Sequence, residues 1–276
     1  MTDVVPVFKK DNKEHAENYG PISLLCLVSK VMEHCVFNSI KDRVYHLINS
    51  SQDGFITGQS CLTHLVEVFD FIGSQLHNGG QVDVTYLDMS KAFDKVSHCK
   101  LVRKLFDYGF GGKLLACLES YLYDRMQRVK AFGVNSQALA MASGVPQGSI
   151  LGPMQFLLYA NSLPDSFKSS HVAAFANDTK NFKSIKSPTY AVLLQDDLSN
   201  LATWSATAGL MFNESKCKVQ RITRTHNPVS NLYHINEVPF SVTSAERGLG
   251  VISPISYRRT NRCATSVKVQ TGCWGL

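Results

Sequence analysis

The chain has 276 residues, of which 44% are hydrophobic and 18% are charged, so it can bury a sizeable core in one domain or in two closely packed subdomains. Its formal net charge of +6 suits a polyanionic partner. Many ordinary proteins have a similar net charge, so the charge alone does not identify such a partner. Eight scattered cysteines with no Cys-x-x-Cys pair argue against a disulfide framework or a zinc site, and no run approaches the 18 apolar residues of a membrane span. We therefore expect an intracellular protein of the cytoplasm or nucleus, with no signal peptide and no membrane segment.

The first 80 residues predict one strand and two helices. Residues 1–17 are typical of a strand followed by a polar loop. Apolar residues then recur with a helical period from Pro21 to about Ile48. Glycines at 54–58 interrupt this pattern, and a second helix is predicted over Leu62–Leu76, ending at the turn residues 78–80.

From residue 81 onward the pattern alternates between strands and helices. A strand is predicted over Val82–Asp88, and a strand–turn–strand around residues 175–178. The other predicted helices are Cys99–Tyr108, Lys113–Tyr123, Met154–Leu163 and 189–207, and the other predicted strands are Arg128–Phe132, Ala138–Ala142, Lys218–Ile222, Leu232–Ile235 and Leu249–Ile252. Strands interleaved with pairs of helices predict an α+β fold.

Two carboxylates stand where predicted strands end. Asp88 closes the strand from Val82, and Asp178 lies at the tip of the strand–turn–strand. If these elements lie side by side, the two carboxylates meet, and like charges held close together are stable only with cations between them. A pair of Mg²⁺ ions is the arrangement used for in-line displacement at phosphorus. The alternative is that both are exposed turn aspartates.

Six short motifs occur in an order that resembles one enzyme family. The segments LDMSKAFD (87–94), GVPQGS (144–149) and FAND (175–178) resemble motifs A, B and C of reverse transcriptases. In order and spacing they are similar to the non-LTR retrotransposon (LINE) type. Within that type, the motif sequences most resemble those of CR1/Jockey-like elements. The segments NYGPISL (18–24), SQDGF (51–55) and MFNESKCK (211–218) resemble the finger motifs and motif D.

The resemblance runs from about Val5 to Val251 and implies a fold and an activity. The fold is a polymerase right hand with an antiparallel palm sheet and packed helices. Residues 1–80 would form a fingers-like region, 81–252 the palm, and 253–276 a truncated tail in place of the thumb. The activity is RNA-directed DNA synthesis, in which a DNA primer 3′-hydroxyl on an RNA template is extended with dNTPs. It uses two Mg²⁺ ions, for which Mn²⁺ can substitute.

The resemblance also assigns roles to individual residues. Asp88 and Asp178 would hold the metal ions, with the Met89 backbone carbonyl as a further ligand. Lys216 would protonate the leaving pyrophosphate, although a lysine there could simply be a surface residue. Phe93 would lie under the sugar and exclude a 2′-hydroxyl, or it could be a core phenylalanine.

A second group of residues is implied in nucleotide binding. Gly144, Gln147 and Gly148 match the motif B turn, where small residues let the nucleotide or template approach the backbone. Lys9 and Lys10 resemble finger lysines near the triphosphate, and taken by themselves they are typical of a solvated face.

Two positions depart from the family pattern. Asn177 stands where motif C has the first of two adjacent aspartates, a catalytic position that is degenerate here, and Gly20 stands where the finger motif has an arginine. An amide is a weaker ligand than a carboxylate for a hard cation. Glycine cannot supply the planar fork that grips phosphate oxygens. Three hypotheses follow: an impaired polymerase domain, a non-catalytic nucleic-acid-binding remnant of a retrotransposon, or the unstable product of a decayed reading frame.

Overall fold

The computed structural model describes residues 1–9, 12–248 and 251–254. The helices in this part of the chain are α1 (Leu27–Leu47), α2 (Cys61–His77), α3 (His98–Asp107), α4 (Gly112–Leu122), α5 (Leu151–Ala160) and α6 (Pro188–Ala208). The strands are β1 (Thr2–Phe8), β2 (Tyr19–Leu24), β3 (Gln81–Asp88), β4 (Met126–Ala131), β5 (Val134–Asn135), β6 (Leu139–Ala140), β7 (His171–Phe175), β8 (Asp178–Ser184), β9 (Lys218–Thr223), β10 (His234–Ile235), β11 (Val238–Pro239), β12 (Ser241–Val242), β13 (Ala245–Gly248) and β14 (Val251–Pro254).

The chain folds into two compact units, each made of segments that are separate in sequence. Unit 1 comprises Met1–Asn49, Lys91–Ser162 and Ala208–Leu210. Unit 2 comprises Ser50–Ser90, Leu163–Thr207 and the described residues from Met211 to Pro254. The predicted division into fingers-like, palm and tail regions is a different partition of the chain, and it stays a prediction.

Unit 1 combines a sheet with four helices. The strand order is β2-β1-β4-β5, with β6 also on β4; β1 pairs antiparallel with β2 and parallel with β4. Helix α5 is buried at every residue except Pro153. The buried Glu33 of α1 accepts hydrogen bonds from the Ile150 and Leu151 amides at 2.7 and 3.2 Å. These contacts satisfy amides that the first turn of α5 leaves without helical partners.

The predicted helical start at Pro21 was wrong. Tyr19–Leu24 forms strand β2, which pairs with β1 from Phe8↔Tyr19 to Asp3↔Leu24, and the helix begins only at Leu27. This pairing is antiparallel and extended, so it overrides the apolar spacing that suggested a helix. On the first half of α1 the apolar Val28 is 79% exposed while the charged Glu33 is buried.

Unit 2 is organised around an antiparallel sheet. Its strand order is β12-β9-β3-β8-β7, so β3 lies between β8 and β9. Helix α2 covers one face of this sheet, where a core cluster forms from Val68, Ile72, Leu76, Val82, Val84, Ala173, Phe182 and Ile222. Because β3 and β8 are in continuous register from Val82↔Ser184 to Asp88↔Asp178, the carboxyl end of β3 meets the start of β8.

The other predicted helices and strands agree with the structure apart from shifts at their ends. The predicted strand Leu249–Ile252 lies partly outside the described residues, which resume with β14. Within the described residues, no helix is both long enough and apolar enough to cross a membrane.

Candidate active site

Asp88 and Asp178 lie directly opposite each other on neighbouring antiparallel strands of unit 2. Facing residues of an antiparallel pair point to the same side of the sheet, so the two carboxylates share one face. Desolvation by the surrounding protein, and then the charge of Asp88, raise the pKa of Asp178, although the residue keeps an exposed surface. The structure therefore brings together the two carboxylates that the sequence singled out.

A lysine neutralises one of these carboxylates. Lys216 Nζ lies 3.0 Å from Asp88 Oδ2, and the two side chains are 48% and 30% exposed. The contact arises because the chain after Met211 runs beside the end of β3: the Asn213 amide donates to the Asp88 carbonyl at 2.7 Å. Lys216 then follows on a short 3₁₀ turn. Its predicted role as proton donor to pyrophosphate stays a prediction.

The oxygen donors at this edge suit Mg²⁺ in chemical type. Carboxylate and backbone carbonyl oxygens are the ligands that a hard cation prefers. Met89 forms an isolated antiparallel β-bridge with Phe212. The hydrogen bonds of this bridge are made by the Asp88 carbonyl and the Ser90 amide, so the bridge does not use the Met89 carbonyl. In the part of the chain that the structure describes, no group of three or more His, Cys, Asp or Glu side chains could hold a metal. The oxygen donors present at this edge are therefore two carboxylates and one backbone carbonyl, which are of the chemical type that Mg²⁺ takes.

Asn177, where the resemblance implies a third carboxylate, lies in the two-residue turn between β7 and β8. Phe175 pairs with Asp178 across this turn. The Asn177 side-chain amide nitrogen lies 3.5 Å from Asp178 Oδ1, and it donates weakly toward that carboxylate. This turn therefore places an uncharged hydrogen-bond donor beside Asp178.

Sequence analysis missed two side chains at this edge of the sheet. Lys180 is 6% exposed and lies on the same face as Asp178, opposite Tyr86. Burial lowers the pKa of Lys180 to about 8, against the opposing effects of Asp178 and Cys61. The sequence did contain a signal for Lys180, because residues 178 and 180 are two positions apart on one strand and therefore lie on the same face. The second, Gln52, hydrogen bonds to the Ala176 amide at 2.7 Å.

The motif B residues and Phe93 lie in unit 1. The Gly144 amide donates to the Val96 carbonyl at 2.7 Å, and the Val145 amide donates to the Phe93 carbonyl at 2.9 Å. Gln147 Nε2 donates to Asp94 Oδ1 at 2.9 Å. The motif B turn is thus fastened to the end of motif A.

The two motif B glycines are required by the protein's own backbone. Gly144 has φ +91° and Gly148 has φ +100°, a region that favours glycine. A Cβ on Gly144 would lie 2.9 Å from the Asp94 carbonyl oxygen, and one on Gly148 would lie 2.9 Å from the Ser23 carbonyl oxygen. Their role in letting a nucleotide or template approach stays a prediction.

The remaining predicted residues also lie in unit 1, or outside the described residues. The half-buried Phe93 ring stacks on Phe156 with centroids 4.5 Å apart. Lys9 is exposed, and its side chain lies across Gly20, where a Cβ would overlap Lys9 Cε. Lys10 lies outside the described residues.

Comparison with known sequences identifies the family. Residues 8–246 match the profile described as reverse transcriptase (RNA-dependent DNA polymerase). The chain belongs to this family. Two similar relatives are the probable RNA-directed DNA polymerase from transposon X-element and the RNA-directed DNA polymerase from mobile element jockey, both of Drosophila melanogaster. The first is 29% identical over 90% of this chain and 28% of its own length, and the second 30% identical over 73% and 23%.

These relatives confirm the predicted resemblance to non-LTR retrotransposon reverse transcriptases. A more distant relative is the Pol polyprotein from type-1 retrotransposable element R2 of Popillia japonica, 26% identical over 56% of this chain and 27% of its own length. The chain spans less than a third of the length of each of these three relatives.

Solved structures show the same fold. Telomerase from Candida tropicalis, in complex with a fragment of telomeric RNA, superposes with a TM-score of 0.62 at 12% identity, covering 86% of this chain and 42% of telomerase. Apo telomerase from the same organism, truncated from its C-terminal domain, gives 0.58 at 13% identity, covering 86% and 51%. The predicted α+β fold is confirmed as reverse-transcriptase-like.

Proposed function

We propose that this chain is the polymerase region of an RNA-directed DNA polymerase, extending a DNA primer on an RNA template with dNTPs, and that Asn177 limits its activity. The observation that carries the proposal is the register of Asp88 with Asp178, with Lys216 at the same edge of the sheet. In this proposal residues 1–80 act as a fingers-like region and 81–252 as the palm.

Each residue at the carboxylate edge has a role in this proposal. Asp88, Asp178 and the Met89 carbonyl would hold two Mg²⁺ ions, or Mn²⁺ in their place. When bound, such ions neutralise the triphosphate and lower the pKa of the primer 3′-hydroxyl. Lys216 carries a proton on Nζ that it can give to the leaving pyrophosphate. Because Lys216 is paired with Asp88, it must leave that carboxylate to do so.

In unit 1, Phe93 is held in position by its stack on Phe156, and its role is to exclude a 2′-hydroxyl from the sugar site. Gly144, Gln147 and Gly148 form the turn that the nucleotide or template approaches. Lys9, which lies where the family arginine side chain would begin, supplies positive charge for the triphosphate, together with Lys10.

Asn177 is the reason that we expect a low polymerase activity. An amide at 177 removes a full negative charge next to Asp178. Loss of a partner that only supports a metal ligand costs about 10–100-fold in affinity or activity, and loss of the carboxylate itself should cost at least that. The unaltered chain is therefore expected to be a slow polymerase.

One observation favours a second candidate, nucleic-acid binding without chemistry. Lys216 on its 3₁₀ turn pairs with Asp88, and Lys180 lies two residues from Asp178 on β8, so two positive charges can hold the two carboxylates together without any metal ion. This candidate predicts RNA–DNA affinity that falls steeply as salt rises and that changes little in Asp88→Ala.

Primer extension on a poly(rA)–oligo(dT) duplex, with Mg²⁺ and then with Mn²⁺, tests the first proposal. Three proteins are compared: the chain as it stands, its Asn177→Asp, Gly20→Arg variant, and that variant with Asp88→Ala. Position 20 should accept arginine, because the overlapping atoms belong to the flexible end of Lys9. The proposal expects strong extension by the double variant only while Asp88 is present. A folded double variant that remains inert would refute it.

A further inference from the structure

A short segment of unit 2 runs beside the hairpin that carries Asp178. Gln52 forms a parallel bridge with Ala174 of β7. The Ala174 amide donates to the Ser51 carbonyl at 2.7 Å, and the Asp53 amide donates to the Ala174 carbonyl at 2.9 Å. Residues 51–54, which we call the clamp segment, therefore extend the sheet at its β7 edge.

The Gln52 side chain reaches from this segment to the hairpin turn. Its Oε1 accepts from the Ala176 amide at 2.7 Å, and its Nε2 donates to the Ala176 carbonyl at 3.1 Å. The same Oε1 accepts from the Gly54 amide at 2.8 Å. A Cβ on Gly54 would lie 3.0 Å from Ala176 Cα. Both polar groups of the Ala176 backbone are thus bound by one side chain, and the clamp segment packs closely against the turn.

The turn needs such support because it is strained. Ala176 has φ +56°, while Asn177 is not among the residues with positive φ. Positive φ at the first central residue alone is the pattern of a type II′ turn, which favours glycine there. Alanine in the left-handed region costs about 1–2 kcal/mol, and such strain persists only where neighbouring structure holds it.

The clamp segment is itself anchored to helix α2. His64 Nδ1 lies 3.1 Å from Asp53 Oδ2, and the His64 side chain is 1% exposed. The His64 ring also meets the Phe175 ring edge-on, with centroids 6.1 Å apart. Because α2 packs on the sheet that contains β3, this anchor joins the clamp segment to the same packed unit that contains Asp88.

We propose that Gln52 is a positioning residue that fixes the Ala176–Asn177 turn and thereby holds Asp178 opposite Asp88. The importance of that position for catalysis rests on the function proposed above. The clamping of the turn by Gln52 is independent of that function, because it follows from the hydrogen bonds of Gln52 alone.

Amide hydrogen exchange, followed residue by residue by NMR, tests the clamp directly. In Gln52→Leu both bonds to Ala176 are lost, and the Ala176 amide should exchange about tenfold faster. Gln52→Glu keeps an oxygen for the Ala176 amide but turns a second oxygen toward the Ala176 carbonyl, so its exchange rate should lie in between. Gln59→Leu, an exposed glutamine of the same loop, is the matched control. Unchanged Ala176 exchange in both Gln52 variants, while Val84 in the sheet stays protected, would overturn the proposal, as would an equal increase in the control.

Mn²⁺ binding in the Asn177→Asp background separates this inference from the proposed function. Adding Gln52→Leu should weaken Mn²⁺ binding several-fold, and adding Gln59→Leu should leave it unchanged. If Asn177→Asp itself binds no Mn²⁺, the proposed function fails, and the exchange measurement still decides the role of Gln52. If Gln52→Leu speeds Ala176 exchange but leaves Mn²⁺ affinity unchanged, the turn is clamped but does not position Asp178, and the proposal is overturned.

Discussion

Asp197→Asn should destabilise unit 2 through one buried carboxylate. Asp197 of α6 is fully buried and accepts hydrogen bonds from the chain that enters β7. Its Oδ1 accepts from the Lys168 amide at 2.7 Å, while its Oδ2 accepts from the Ser169 amide and hydroxyl at 3.1 and 2.9 Å and from the Ser170 amide and hydroxyl. All five partners are donors, so the site is built for a negative charge.

The size of the effect follows from these contacts. Asparagine replaces one acceptor oxygen with a donor that faces the Lys168 amide, which leaves two donors unpaired at about 1–3 kcal/mol each. It also removes the charge from the other bonds, and charge-assisted bonds are roughly twice as strong as neutral ones. A loss of about 3 kcal/mol corresponds to a fall in Tm of roughly 6–12 °C for a chain of this size.

The pH dependence gives the sharper test. Burial works to raise the pKa of Asp197, but the hydrogen bonds from Ser170, Lys168 and Ser169 outweigh it, so the pKa lies below its ordinary value of 3.8. The stabilisation is therefore present above about pH 4 and is lost as the pH falls through the folded-state pKa. Chemical denaturation from pH 7 to pH 3 should show the difference between the two proteins shrinking at the acid end.

The control for this prediction is Asp196→Asn, an exposed neighbour on the same helix, which should change stability by less than about 0.5 kcal/mol. A gap between Asp197→Asn and the parent chain that is constant over the whole pH range would refute the reasoning.

Two further predictions concern carboxylates of the same sheet. Tyr233→Phe removes a hydrogen bond of 2.8 Å to the fully buried Asp83, so urea denaturation should show a loss of about 1.5–3 kcal/mol; an unchanged midpoint would contradict this. Lys216→Met frees Asp88 from an ion pair worth about 0.2–1 kcal/mol, so Mn²⁺ should bind roughly 1.5–5-fold more tightly while primer extension falls. Extension that rises together with Mn²⁺ affinity would exclude Lys216 as the proton donor.

Much of the fold was predictable because its signals are local. The strand-like run Val82–Asp88 and the turn at 176–177 each lie within a few residues, and the resemblance of the motifs implied that the two elements belong together. The register of Asp88 with Asp178 pairs residues far apart in the sequence, so it was expected only on the condition that the two elements lie side by side.

The errors and omissions arose where pairing over long distances decides the structure. Residues 21–24 have apolar spacing compatible with a helix, but pairing with β1 makes them a strand. Gln52 contacts Ala176 from 124 positions away, and no spacing rule connects such residues. Lys180 is different: its place on the same strand face as Asp178 could have been derived from alternation alone.

Mn²⁺ binding, followed by electron paramagnetic resonance, tests the central claim most directly. The claim is that Asp88 and Asp178 form a metal-holding pair that Asn177 leaves one carboxylate short. Asn177→Asp should bind Mn²⁺ at least about tenfold more tightly than the parent chain, and adding Asp88→Asn should remove that gain. Equal affinity in the parent and Asn177→Asp, or a gain that survives Asp88→Asn, would contradict the account.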